Sequence, residues 1–180
     1  MTDNLFLGPD AQVRFSLQRL HAFKGDGNIS GANTNLLEGI FFSSDPDAGI
    51  KGTYASNPDN MLSVKMRHEG KAQPRWQAFH ISMGNVDLEQ AAVLGVVLRS
   101  QAPASITTRI CLRSQKDGEF LDYFFPKTLV SFSEPSTHID LIDLASASDI
   151  PRSALDRDLI LFFRPGEVEL ELLDLRLFIV

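Results

Sequence analysis

The chain has 180 residues, 43% of them hydrophobic and 22% charged, with a net charge of −6. That length suits one domain, residues 1–180, with a substantial core, and the acidic balance argues against a nucleic-acid partner, whose phosphates select basic surfaces. Cys111 is the only cysteine, which excludes an intrachain disulfide. No run of about 18 apolar residues is present to span a membrane, and the start, MTDNLFLGPD, lacks a signal-peptide pattern. A reduced, cytoplasmic location is therefore expected.

In chain order, DAQVRFSLQRLHAF (residues 10–23) reads two ways. Val13, Phe15 and Leu17 fit a strand; Val13, Leu17 and Leu20 fit a helix. The strand is favoured because almost everything downstream is β. Residues 24–60 are rich in Gly, Asn, Ser, Asp and Pro around one apolar island, Ile40-Phe41-Phe42. They predict a long irregular loop region with one short strand.

From residue 60 onward, alternation dominates. Leu62, Val64 and Met66 share one parity, as do Phe79, Ile81 and Met83, then Leu94, Val96 and Leu98, then Ile106, Ile110 and Leu112. These are half-buried strands. DLEQAA (residues 87–92) offers a helical turn or two. QKDG (residues 115–118) predicts a hairpin turn, since Asp-Gly readily takes positive φ. Its return strand, EFLDYFF, ends at Pro126, and TLVSF is another strand or its continuation. HIDLIDL (residues 138–144) alternates and then shifts phase at Leu141–Ile142. SDIPRSAL (residues 148–155) suits a short helical turn. DLILFFR, the Pro165-Gly166 turn and EVELELLDLRLFIV read as a hairpin. Within the last strand the apolar parity changes near Leu172–Leu173, which predicts a bulge there or burial of both faces.

Short strands, turns and no long amphipathic helix define an all-β antiparallel β-sandwich. The segments RWQAFHISM, AVLGVVLRS, TRICLRSQKDGEFLDYFF, HIDLIDL and LILFFRPGEVELELLDLRLFIV resemble the jelly-roll sandwiches of carbohydrate-binding modules and galactose-binding-like domains. The resemblance covers residues 60–180 and lies in the strand pattern. It implies a non-catalytic binding module with carbohydrate as the favoured ligand class. The alternatives are a protein-interaction or assembly domain of a polysaccharide-related system, with a protein partner, and a small β-sandwich enzyme acting on sugars.

The parity opposite the apolar one collects Trp76, His80, Arg99, Arg109, Arg113 and His138, with Lys65, Arg67, Tyr123 and Asp140. Sugar sites pair an aromatic platform with planar donors for hydroxyls, and Arg suits the second role. The first six are the candidate ligand-binding set. An ordinary solvated sheet face is the competing explanation.

Catalytic motifs are missing: there is no H-E-x-x-H, G-x-S-x-G, P-loop or Cys/His ligand spacing. Binding rather than catalysis is expected, with no cofactor. Cys111 sits between Arg109 and Arg113 on one parity and reads as a small packing residue. DGNISG (residues 26–31) sets Asp26, Asn28, Ser30 and Gly31 at the opening spacing of a calcium loop, but position 12 is Leu37 and Glu38 comes one residue late. Jelly rolls of the resembled kind often carry a structural calcium. Asp26, Asn28 and Ser30, helped by Asp45 or Asp47, are the candidates for one; a plain turn is the alternative.

Overall fold

A chain that alternates apolar and polar residues can bury only one face of each strand, so it must stack sheet on sheet. The computed structural model, which describes residues 8–70 and 73–180, does this with one α-helix, α1 (Ala11–Ala22), a 3-10 turn at Pro46–Ala48, and the strands β1 (Gly25–Ser30), β2 (Asn33–Leu37), β3 (Ile40–Ser44), β4 (Ile50–Ser56), β5 (Leu62–His68), β6 (Gln77–Gly84), β7 (Val93–Gln101), β8 (Ile106–Lys116), β9 (Glu119–Ser131), β10 (Ser136–Asp143), β11 (Asp156–Phe163) and β12 (Val168–Ile179). Among the described residues they form two six-stranded sheets. Sheet A has the order β1-β4-β5-β12-β7-β10 and sheet B the order β2-β3-β6-β11-β8-β9. The pairings are antiparallel throughout. The fold is an all-β sandwich of jelly-roll type.

The inward parities are those the alternation indicates. Leu62, Val64 and Met66, Phe79, Ile81 and Met83, and Leu94, Val96 and Leu98 join one buried cluster between the sheets, with Leu159, Leu161, Leu170, Leu172 and Leu175. Each such side chain contributes about 1.5–3 kcal/mol by leaving water. The QKDG hairpin forms, with Asp117 at φ 54° and Gly118 at φ 83°. It joins β8 to β9 with Lys116 opposite Glu119. The bulge expected in the last strand is present: the register against β7 shifts between Leu172 and Asp174.

Five expectations are corrected. Residues 10–23 form a helix over most of their length. Val13, Ser16, Leu17 and Leu20 are buried at helical spacing, and α1 packs on β6 and β12. Phe15, which a strand would have buried, is 55% exposed. Residues 24–60 are four strands rather than a long loop region; β1 pairs with β4 from Gly25 opposite Ser56 to Ser30 opposite Lys51. EFLDYFF does not end at Pro126: TLVSF is its continuation in β9, and the register against β8 breaks between Phe124 and Thr128, around the exposed Pro126. β9 is an edge strand, where a missing N–H costs least. The Pro165-Gly166 turn makes no hairpin, because β11 lies in sheet B and β12 in sheet A. Finally, residues 87–92 and 148–155 make turns, bends and irregular chain but no helix.

Candidate functional site

Directly paired residues of antiparallel strands project to the same side of a sheet. The register therefore fixes what the outward face of sheet B displays. One row across β2, β3, β6, β11, β8 and β9 is Asn35, Phe41, His80, Ile160, Cys111 and Phe124. The next row is Asn33, Ser43, Ala78, Phe162, Arg109 and Thr128. A third holds Ser82, Asp158, Arg113 and Asp122. Ala78, Cys111 and Ile160 are fully buried there, in a small cluster apart from the main core, with Phe162 packed on it. Large neighbours on the same face cover them.

Those neighbours enclose a cleft of about 500 Å³, lined among others by Ser43, Trp76, His80, Arg109, Arg113, Asp122, Phe124 and Phe162. Arg113 clamps Asp122 through Nε and Nη2 at 2.6 and 2.7 Å, a bidentate geometry that fixes both groups. The Arg109 guanidinium lies 4.4 Å from the Phe124 ring centre, and Phe124 meets Phe162 at 5.8 Å. Trp76 enters from the segment before β6. Arg75 lies 5.3 Å from its ring and is itself held by Asp45 at 2.8 Å and Asp47 at 2.9 Å. Hydrogen bonding from Arg75 holds the Asp45 carboxyl far below the usual carboxylate range. His80 stacks on Phe41 at 4.5 Å and 12° between planes. Its Nε2 is 2.8 Å from Ser43 Oγ and its Nδ1 is 3.4 Å from Asp158 Oδ2.

Four of the six candidate binding residues, Trp76, His80, Arg109 and Arg113, thus line one cleft. Two do not. Arg99 projects from the outward face of sheet A, opposite Thr137 and Asp174. His138 lies on the inward parity of β10, which alternates in a single phase: His138, Asp140 and Ile142 are turned in, while Ile139 and Leu141 are exposed. Asp140 is buried because it accepts the backbone N–H groups of Lys127 and Leu141 at 2.7 and 2.9 Å. His138 Nε2 stands 3.9 Å from Asp140 Oδ2 and has no hydrogen-bond partner among the described residues. Burial lowers its pKa. Tyr123 likewise packs against the core, while Asp122 and Phe124 face out.

Cys111 shares the site's face but lies beneath it, and burial pushes its thiol up to about 12, which removes it as a nucleophile at neutral pH. Sequence reasoning missed Ser43, Asp122, Phe124, Asp158 and Phe162. Asp122 was within reach: counting outward from the Asp117-Gly118 turn pairs residue 113 with residue 122.

Asp26, Asn28 and Ser30 lie on β1, exposed at alternate positions along one face. Alternate residues of a strand are about 6.6 Å apart, whereas calcium ligands must all lie about 2.3–2.6 Å from one point. Asp45 and Asp47, the proposed helpers, are engaged by Arg75. No group of three or more His, Cys, Asp or Glu fit to hold a metal occurs among the described residues. The residues as placed do not fit a calcium shell.

A second hollow, about 600 Å³, lies on sheet A between Asn28, Lys51, Lys65, Arg67 and Glu169. Its Lys65–Glu169 pair is closed at 2.5 Å and no aromatic ring lines it, so it offers a ligand little that water does not.

The fold is similar to that of solved carbohydrate-binding modules. The CBM22-1 xylan-binding domain from Paenibacillus barcinonensis Xyn10C matches with a TM-score of 0.51 and 9% identity, over 87% of this chain and 96% of that one. A family 11 carbohydrate-binding module from Clostridium thermocellum, in complex with a β-1,3-1,4-mixed-linked tetrasaccharide, matches with a TM-score of 0.53 and 10% identity, over 87% and 96%. At these identities the likeness is one of fold. The sequence matches no protein-family model and no curated protein.

Proposed function

We propose that this chain is a carbohydrate-binding module whose ligand lies along the outward face of sheet B. The observation that carries this reading is the convergence of Trp76, Phe124, Arg109 and the Arg113–Asp122 pair on one cleft. Indole and phenyl faces stack on the C–H faces of sugar rings. The planar guanidinium of Arg109 matches a pair of neighbouring hydroxyls. The clamped Arg113–Asp122 pair supplies donors and acceptors already ordered before binding, which lowers the entropy cost of recognition. The fold supports the reading, since known modules with this sandwich include a xylan-binding domain and one holding a mixed-linked tetrasaccharide.

The test is titration calorimetry of the purified protein against xylan, mixed-linkage β-glucan and oligosaccharides of each. Binding to one class is expected, weakened about tenfold or more by Trp76→Ala, the size of one lost aromatic contact. No binding across the panel, or a Trp76→Ala protein that binds as tightly as the parent, overturns the reading.

A further inference from the structure

Ser43 and His80 line the cleft, and with Asp158 behind His80 they form a line of polar groups that sugar binding does not require. Ser43, His80 and Asp158 come from three neighbouring strands, β3, β6 and β11. Ser43 Oγ is 2.8 Å from His80 Nε2, and His80 Nδ1 is 3.4 Å from Asp158 Oδ2. We propose that Ser43, His80 and Asp158 act as nucleophile, general base and positioning residue in hydrolysis of a carboxylic ester carried by a sugar bound on this face. The substrate class rests on the carbohydrate reading; the chemistry rests on the geometry alone.

The proton positions follow from donor and acceptor rules. An ionised carboxylate only accepts, so the imidazole gives Asp158 the Nδ1 hydrogen. In the neutral ring that leaves Nε2 as an acceptor, and the Ser43 hydroxyl donates to it. This is the tautomer a base needs in order to take the hydroxyl proton. The ring is held in that orientation by the stacked Phe41 and is only 5% exposed, so water competes little for Nε2. The β11 register shifts between Arg157 and Asp158 against β6, the kind of irregularity that re-aims a side chain. Ser43 itself lines the cleft and is open to a ligand.

In the reaction, Ser43 Oγ attacks the ester carbonyl carbon while its proton passes to His80 Nε2. The tetrahedral intermediate collapses with cleavage of the bond to the sugar oxygen, and the sugar alcohol leaves with the proton from Nε2. Water then attacks the acyl-serine, giving its proton to Nε2, and the carboxylic acid departs as Ser43 regains its hydrogen. The negative charge on the carbonyl oxygen needs donors. Arg109 lines the same cleft, and among the described residues its guanidinium touches the Phe124 ring and no carboxylate, so its N–H groups are available to that oxygen.

Diisopropyl fluorophosphate and p-nitrophenyl acetate test the chemistry without any sugar. One phosphoryl adduct per chain is expected, mapped by mass spectrometry to Ser43. Ser43→Ala, its fold checked by an unchanged melting temperature, is expected to lose the adduct and about 100-fold or more of the ester hydrolysis. Asp158→Asn is expected to lower kcat with little change in KM, and Asp158→Glu to restore part of it. No adduct on the parent protein, an adduct elsewhere, or Ser43→Ala hydrolysing at the parent rate overturns the proposal. Release of acetate from O-acetylated xylan tests the substrate. An adduct on Ser43 with no sugar binding and no acetate release overturns the substrate class alone, while sugar binding with no adduct overturns the chemistry alone.

Discussion

Arg157 is 1% exposed, and among the described residues its guanidinium makes no hydrogen bond to a carboxylate. It instead donates to Val86 O at 2.9 Å, Pro151 O at 2.6 Å, Arg152 O at 3.0 Å and the Ser114 hydroxyl. One side chain thus satisfies three loop carbonyls, one buried and two partly buried, that no strand pairs. Burial lowers its pKa to about 10, so it stays charged at neutral pH. Arg157→Ala is expected to cost about 3 kcal/mol or more in urea unfolding, because those acceptors are left dry and unpaired. His138 is the opposite case, a base held neutral. Burial disfavours its charged form, so the unfolded chain takes the proton first. Stability is then complete above the unfolded imidazole pKa of about 6.5 and declines as pH falls below it. The lowered carboxyls Asp45, Glu69 and Asp143 lose their share only at more acid pH. Melting temperature should therefore fall in two stages, and His138→Gln should flatten the first, between pH 7 and 5, while sparing the second.

Among the elements, β10 inverts the usual rule. Its exposed parity carries Ile139 and Leu141, at 55% and 48% exposure, and its buried parity carries Asp140. The edge of sheet B explains this. There β9 passes close to β10, Lys127 Nζ bonds Ile139 O, and the Lys127 N–H needs the Asp140 carboxylate. Ile139→Lys should change unfolding free energy by no more than about 0.5 kcal/mol, whereas Asp140→Ala should cost about 1–3 kcal/mol by stranding two N–H groups. Equal costs would refute the assignment of faces. This strand also marks the limit of reading sequence. Where a strand is fully flanked, as at Phe79, Ile81 and Met83, alternation gives the buried face directly. At an edge, one hydrogen bond from the other sheet can turn a carboxylate inward, and no local pattern records it. GDGNIS and NTNLL were equally illegible as strands, because Gly, Asn and Ser have low β-propensity and only their partners β4 and β3 hold them extended. In α1, Val13 and Leu17 served both periods, and Phe15 was the misleading residue. The cleft was half legible. Parity placed Trp76, His80, Arg109 and Arg113 together, but Ser43 and Asp158 reach His80 only through the order of strands in sheet B.

At the scale of the whole molecule, β12 occupies the middle of sheet A, between β5 and β7, and its Phe178 ring lies over Gly95, where an added Cβ would come within 2.1 Å. Without β12, sheet A is two fragments, β1-β4-β5 and β7-β10. Deleting residues 168–180 should abolish the cooperative thermal transition seen by near-ultraviolet circular dichroism. A native-like melt of the shortened chain would contradict the central place given to β12. The position of this strand has a consequence for synthesis. The keystone of sheet A follows every other strand of the sandwich in chain order. Until residue 179 is clear, β5 and β7 present unpaired edges and bare apolar faces to the surrounding solution. Closure of sheet A therefore depends on the strand made after both of its neighbours, so the two halves of the sheet cannot join until β12 has been synthesised.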